Sequence, residues 1–197
     1  GFLSFFLLSN IFNMYLKIVR KEKGLKIPIK LYFTELYNLV LHFVTQKQLS
    51  KCDTLETKKK FVFNTYWVVH WLLMSSYVIM FIMIVFFLGW FQTDNIYHWI
   101  HPQRILGYYA TAGLLTGVVY FLYSRFTRKE EKSKHSHVTD WTFLVLLLLT
   151  TVTGILVHIF RINGMPYPTY YTYVIHLMVL FPMLMIEVPF SKWSHLA

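Results

Sequence analysis

Between Phe61 and Phe91 lie 31 consecutive residues without an Asp, Glu, Lys or Arg. A helix needs about 20 apolar residues to cross the hydrocarbon of a bilayer, so this run alone points away from a soluble domain. Three more follow: Ile105 to Ser124 (20 residues), Trp141 to Phe160 (20) and Ile162 to Ile186 (25). The last carries Asn163, Gly164, Pro166 and Pro168 at its front, which predicts a helix starting near Thr169. Each run predicts a transmembrane helix. A shorter apolar stretch, GFLSFFLLSNIFNMYL (1–16), shows no n-region or small-residue cleavage site and reads as the rest of a first transmembrane helix. The chain opens on Gly rather than Met, as a segment of a longer protein would.

Composition agrees. Charged residues make up 14% and mean hydropathy is +0.46, against about 25% charged in soluble domains. The net charge of +10 would suit nucleic acid in a polar protein. In a chain this apolar it marks cytoplasmic loops instead, and no nucleic-acid partner is expected. The single cysteine, Cys52, excludes a disulfide framework and a cysteine-ligated iron–sulfur cluster.

Residues 17–60 differ from the spans, holding eleven Lys/Arg and four Asp/Glu. Within them Leu36, Leu39, Val40 and Phe43 recur at helical spacing, which predicts an amphipathic helix on the membrane surface. With five spans, the segment 17–60, the loop 125–140 and the tail after Phe190 share one side. They hold 17 of the 19 Lys/Arg; Arg104 and Arg161 alone fall opposite. The positive-inside rule then places the N-terminus outside and the C-terminus in the cytoplasm. Trp90, Trp99, Tyr167, Tyr170 and Tyr171 gather at the outer ends, as an aromatic belt would. The expected fold is an all-α membrane bundle of about five spans with a cytoplasmic-side amphipathic helix. It forms one domain: span 1–16, cytoplasmic segment 17–60, four-span core 61–190 and tail 191–197.

Ionisable groups inside spans are costly and suggest a task. His70 lies about ten residues past Lys60, some 15 Å deep, and His176 lies 13 residues before Pro189, roughly 20 Å from the same face. Sharing one depth, they are candidate axial ligands of a b-type haem. Gly107, Gly113 and Gly117 supply small surfaces for a porphyrin face, or simply for helix packing. At the outer side, His158 with His101 either ligates a second haem or, like His98, meets water and headgroups. Arg104 and Arg161 either neutralise haem propionates and bind a quinone carbonyl, or snorkel. His42, on the amphipathic helix, faces a propionate, a quinone headgroup or a partner, or is a buried hydrogen bonder. His135, His137 and His195 read as surface residues. No phosphate loop, GxSxG, HExxH or CxxC is present. The only acid within a span, Glu187, is near a helix end, which disfavours ion-coupled transport.

The stretch HLMVLFPMLMIEVPFSKWSH (176–195) resembles the last span of the respiratory nitrate reductase gamma subunit family of membrane cytochromes b, with a His-to-Pro spacing about one residue different. GLLTGVVYFLYSRF, a basic loop and TDWTFLVLLLLTTVTGIL resemble that family's third and fourth spans. The resemblance implies that His70 is the inner ligand of its span. The family's next ligand falls at Met80, so a second haem would need other ligands. Closer still, the order Glu35, His42, Cys52, His70 and the segment HPQRILG (101–107) are similar to quinone-interacting and heterodisulfide-reductase-type membrane subunits.

The resulting expectation is a multi-pass haem b subunit of the cytoplasmic membrane, with one haem or two. It would carry electrons between the quinone pool, its substrate, and cytoplasmic iron–sulfur or flavin subunits docked on the basic face. A haem-free membrane anchor is the alternative, and a small transporter a third.

Overall fold

A computed structural model describes residues 2–21, 28–46, 65–91, 93, 95–127 and 138–187. Cys52, His135, His137, His195, most of the basic residues of segments 17–60 and 125–140, and the tail 191–197 fall outside the described residues. The elements are α1 (Phe2–Lys21), α2 (Ile29–Thr45), α3 (Thr65–Phe86), a short α4 (Leu88–Phe91), α5 (Pro102–Thr127), α6 (Val138–Ile162) and α7 (Pro166–Pro182). A π-turn over Met183–Glu187 continues α7. The described chain is therefore all-helical, without strands.

Among the described residues three helices, not the expected five, are long and apolar enough to cross a membrane: Thr65–Phe86, Pro102–Thr127 and Trp141–Ile162 within α6. The fourth run stops short for a local reason. Its helix begins at Pro166, three residues before the expected Thr169, and α7 is regular for 17 residues. Pro182 then offers no N–H to the carbonyl one turn back. The Met183 N–H bonds the carbonyls of Val179 and Leu180, and the chain widens into the π-turn. At the N-terminal end, α1 runs 20 residues and passes the boundary expected at Leu16. It touches the π-turn.

Packing runs in series. The closest contacts join α3 to α5 and α6 to α7, and α5 meets α6 between the two pairs. Buried positions follow helical spacing: Val69, Leu73 and Tyr77 on α3; Leu114, Val118 and Phe121 on α5; Leu144 and Leu147 on α6. Met183 closes this core from the π-turn. Lipid cannot drive helices together as water does, so association relies on close approach of small residues. Gly113 of α5 abuts Ser76 of α3 so tightly that a Cβ would collide with the serine hydroxyl, and a Cβ on Gly117 would lie 2.7 Å from Leu73 Cβ. These two glycines therefore serve helix packing, and the space a porphyrin face would need beside them is filled by α3. The outer surface is apolar, with Phe86 73%, Phe126 74% and Met178 70% exposed, as lipid-facing side chains would be. Trp90, Trp99, Tyr167, Tyr170 and Tyr171 are exposed as well.

Helix α2 is moored at one end. Gln46 takes a left-handed conformation (φ 48°, ψ 31°) that ends the helix, its N–H bonding the His42 carbonyl at 2.8 Å. Carbonyls in a last helical turn lack intrahelical partners. Here the Trp67 indole donates to Thr45 O at 3.1 Å and the Trp71 indole to Val44 O at 2.8 Å. Farther back along α2, Phe33, Leu36, Leu39 and Val40 are exposed.

Candidate functional site

His70 occupies the same face of α3 as Trp67 and Trp71, three residues from one and adjacent to the other. Its ring stacks on Tyr66 (6.1 Å, 18°) and meets the Phe121 ring edge-on (5.9 Å). Its Nδ1 lies 2.7 Å from Gln46 Oε1. An amide oxygen only accepts, so Nδ1 carries the proton and Nε2 the lone pair.

His176 projects from α7 against Gly154 of α6, where a Cβ would sit 3.4 Å from the imidazole Cε1, in van der Waals contact. Its Nδ1 lies 2.9 Å from Thr153 Oγ1. The threonine hydroxyl has one proton, and the Leu149 carbonyl accepts it at 2.7 Å. With that proton on a backbone carbonyl, Thr153 accepts from the imidazole, and the Thr150 backbone is a further hydrogen-bond partner of the ring. Both histidines thus have Nδ1 within hydrogen-bond distance of a side-chain oxygen. This is the arrangement that metal-ligating histidines use, the second nitrogen anchored to an acceptor.

The expected common depth does not follow. Gly113 abuts Ser76 across α3 and α5; Tyr108 meets His158 and Phe126 meets Trp141 across α5 and α6; Gly154 meets His176 across α6 and α7. Followed through these contacts, His176 stands level with Ser76 and Tyr77. His70 lies about two turns, roughly 10 Å, nearer the start of α3. Depth counted from Lys60 and Pro189 ignored this register, which close glycine packing imposes.

At the opposite end, Arg104 Nη1 lies 3.0 Å from Nδ1 and 3.1 Å from Nε2 of His158. Tyr108 Oη lies 3.2 Å from the same Nε2. Guanidinium only donates, so the imidazole accepts from it. His101 is not drawn to His158 by any of these bonds. It stacks on Tyr97 (4.1 Å, 8°) beside Trp90, its Nδ1 is buried without a hydrogen-bond partner, and its carbonyl receives the first N–H groups of α5. His98 lies against Trp99 at 5.6 Å. Arg161 donates to the carbonyls of Thr93 and Asn95, tying the loop before α5 to the end of α6. His42 is exposed and lines a shallow groove on α2 with Tyr32, Glu35, Asn38 and Leu39, so the buried reading does not hold for it.

Sequence reasoning missed Gln46, Thr153 and Tyr108. The Trp67, His70, Trp71 spacing was a readable sign that something docks beside His70. Thr153 had no such sign, since its partner lies on another helix. No protein-family profile, curated protein or solved structure matches the chain.

Proposed function

We propose that this chain is a haem b membrane subunit of a respiratory oxidoreductase complex in the cytoplasmic membrane. It passes electrons between the quinone pool and cytoplasmic iron–sulfur or flavin subunits. One observation carries the reading: His70 and His176 both have Nδ1 within hydrogen-bond distance of a side-chain oxygen in the bundle, the anchoring that a ligand imidazole bound through Nε2 would use. The resemblance of segments 101–107 and 176–195 to membrane cytochromes b adds to it. The donor chemistry suits haem iron, and bound haem would supply a one-electron couple. The protein's part is to fix each ring, strengthen each nitrogen as a ligand through its anchored partner, and keep water away with the Leu and Val core.

The difference in height argues that His70 and His176 serve separate irons rather than one between them. Each iron then takes its second ligand elsewhere. His195 is the histidine to test; His101, at the start of α5, stands about 18 Å from the level of His176. Arg104 and Arg161 would sit near outer-side propionates or a quinone carbonyl, and His42 near a cytoplasmic partner.

A second reading is favoured by a different observation. Leu73, Val118, Leu147 and Met183 belong to one continuous apolar core from α3 to the π-turn. A haem-free anchor for a soluble complex would be built this way. The reduced-minus-oxidised spectrum decides. The first reading expects a b-type α-band and about two haems per chain by pyridine haemochrome, part of the band disappearing with His70→Ala and part with His176→Ala. A colourless, iron-free protein overturns it.

A further inference from the structure

We propose that Gln46 is a positioning residue for His70, and that it makes the docking of α2 a control on that histidine. The proposal rests on the haem reading for its consequence but not for its geometry.

Three bonds join α2 to α3, and they fall on consecutive residues of one strand of chain. Val44 O, Thr45 O and Gln46 Oε1 meet Trp71, Trp67 and His70. The donors occupy one face of α3 because their spacing is three and four residues. The acceptors converge because Gln46 turns left-handed, a conformation that costs a non-glycine residue energy unless its surroundings hold it. The Gln46 amide therefore reaches His70 only while the two indoles grip the end of α2. Beyond that grip α2 presents exposed apolar side chains, and Glu35, Asn38 and His42 line its groove. A body that pulls or presses α2 acts on three hydrogen bonds at once, and the imidazole is one of the three. The Gln46 carbonyl dipole supports the Nδ1–H and makes Nε2 a stronger donor. Withdrawing it weakens that donor, while Tyr66 and Phe121 still pack on the ring.

Two readouts separate this idea from the haem reading. With haem bound, redox titration of the full chain should give a lower midpoint potential for Gln46→Glu, whose carboxylate supports the imidazole more strongly. Gln46→Leu should raise it. The double variant Trp67→Phe, Trp71→Phe leaves Gln46 intact and should shift the potential in the same direction as Gln46→Leu. If no haem is present, ring nitrogen shifts of histidine-labelled full chain report the tautomer directly. His70 should be protonated on Nδ1 in the wild type, and should lose that preference in Gln46→Leu and in the double variant. Potentials, or shifts, that stay at wild-type values in both variants overturn the proposal, as does a wild-type His70 protonated on Nε2.

Discussion

The imidazole of His176 on α7 donates from Nδ1 to the hydroxyl of Thr153 on α6 at 2.9 Å, while that hydroxyl donates to Leu149 O at 2.7 Å. The relay runs from one helix to the carbonyls of the next, Thr150 O lying 3.1 Å from the same hydroxyl. Thr153→Val keeps the shape and removes the acceptor. It should leave the ring N–H unsatisfied and cost about 1–3 kcal/mol. Thr153→Ser should cost much less. Thermal unfolding in detergent, followed by circular dichroism, checks both; equal losses would mean the hydroxyl is irrelevant.

The glycine seam gives a second expectation. Gly113→Ala drives a methyl into Ser76, and overpacking of this kind costs about 1–3 kcal/mol. Ser76→Gly in the same chain removes the obstructing side chain and should restore most of the loss. Failure of the rescue would show that the seam is looser than its contacts indicate.

Arg161 holds the loop before α5 by donating to two carbonyls, Thr93 and Asn95. A planar fork can serve two acceptors, whereas an ammonium is a point charge. Arg161→Lys should therefore behave nearly like Arg161→Gln, with faster proteolytic cleavage in the loop around Asn95. Cleavage at the wild-type rate in Arg161→Lys would mean that charge alone holds the loop.

Orientation follows from the lysines and arginines. In a chain with Cys52 replaced by serine, Ser133→Cys should react with a membrane-impermeant thiol reagent only from the cytoplasmic side, and Asn95→Cys only from the other. The reverse pattern would invert the proposed faces.

Much of the helical layout was legible because a bilayer demands long uncharged runs. The runs at 61–91, 105–124 and 141–160 each contain or overlap a helix long and apolar enough to span a membrane. The run at 162–186 held a helix, yet its interruption at Pro182 was not foreseen, since a proline near a helix end leaves open how the turn reforms. Individual histidines were legible as unusual; their partners were not. Gln46 lies 24 residues from His70, and Thr153 lies 23 from His176. Such pairings depend on which faces meet. The height of His176 relative to His70 was equally hidden, because it is set by Gly113 and Gly117 on a third helix.

Those glycines divide the molecule mechanically. They lock α5 onto α3, and Gly154 lets α7 settle on α6, while α5 and α6 meet through bulkier rings such as Tyr108 with His158 and Phe126 with Trp141. The bundle is thus two hairpins whose inner faces contribute to one apolar core of Leu73, Val118, Leu147 and Met183. A flat ring system entering between α5 and α6 would displace those side chains while leaving the Gly113 and Gly117 contacts within the first hairpin in place.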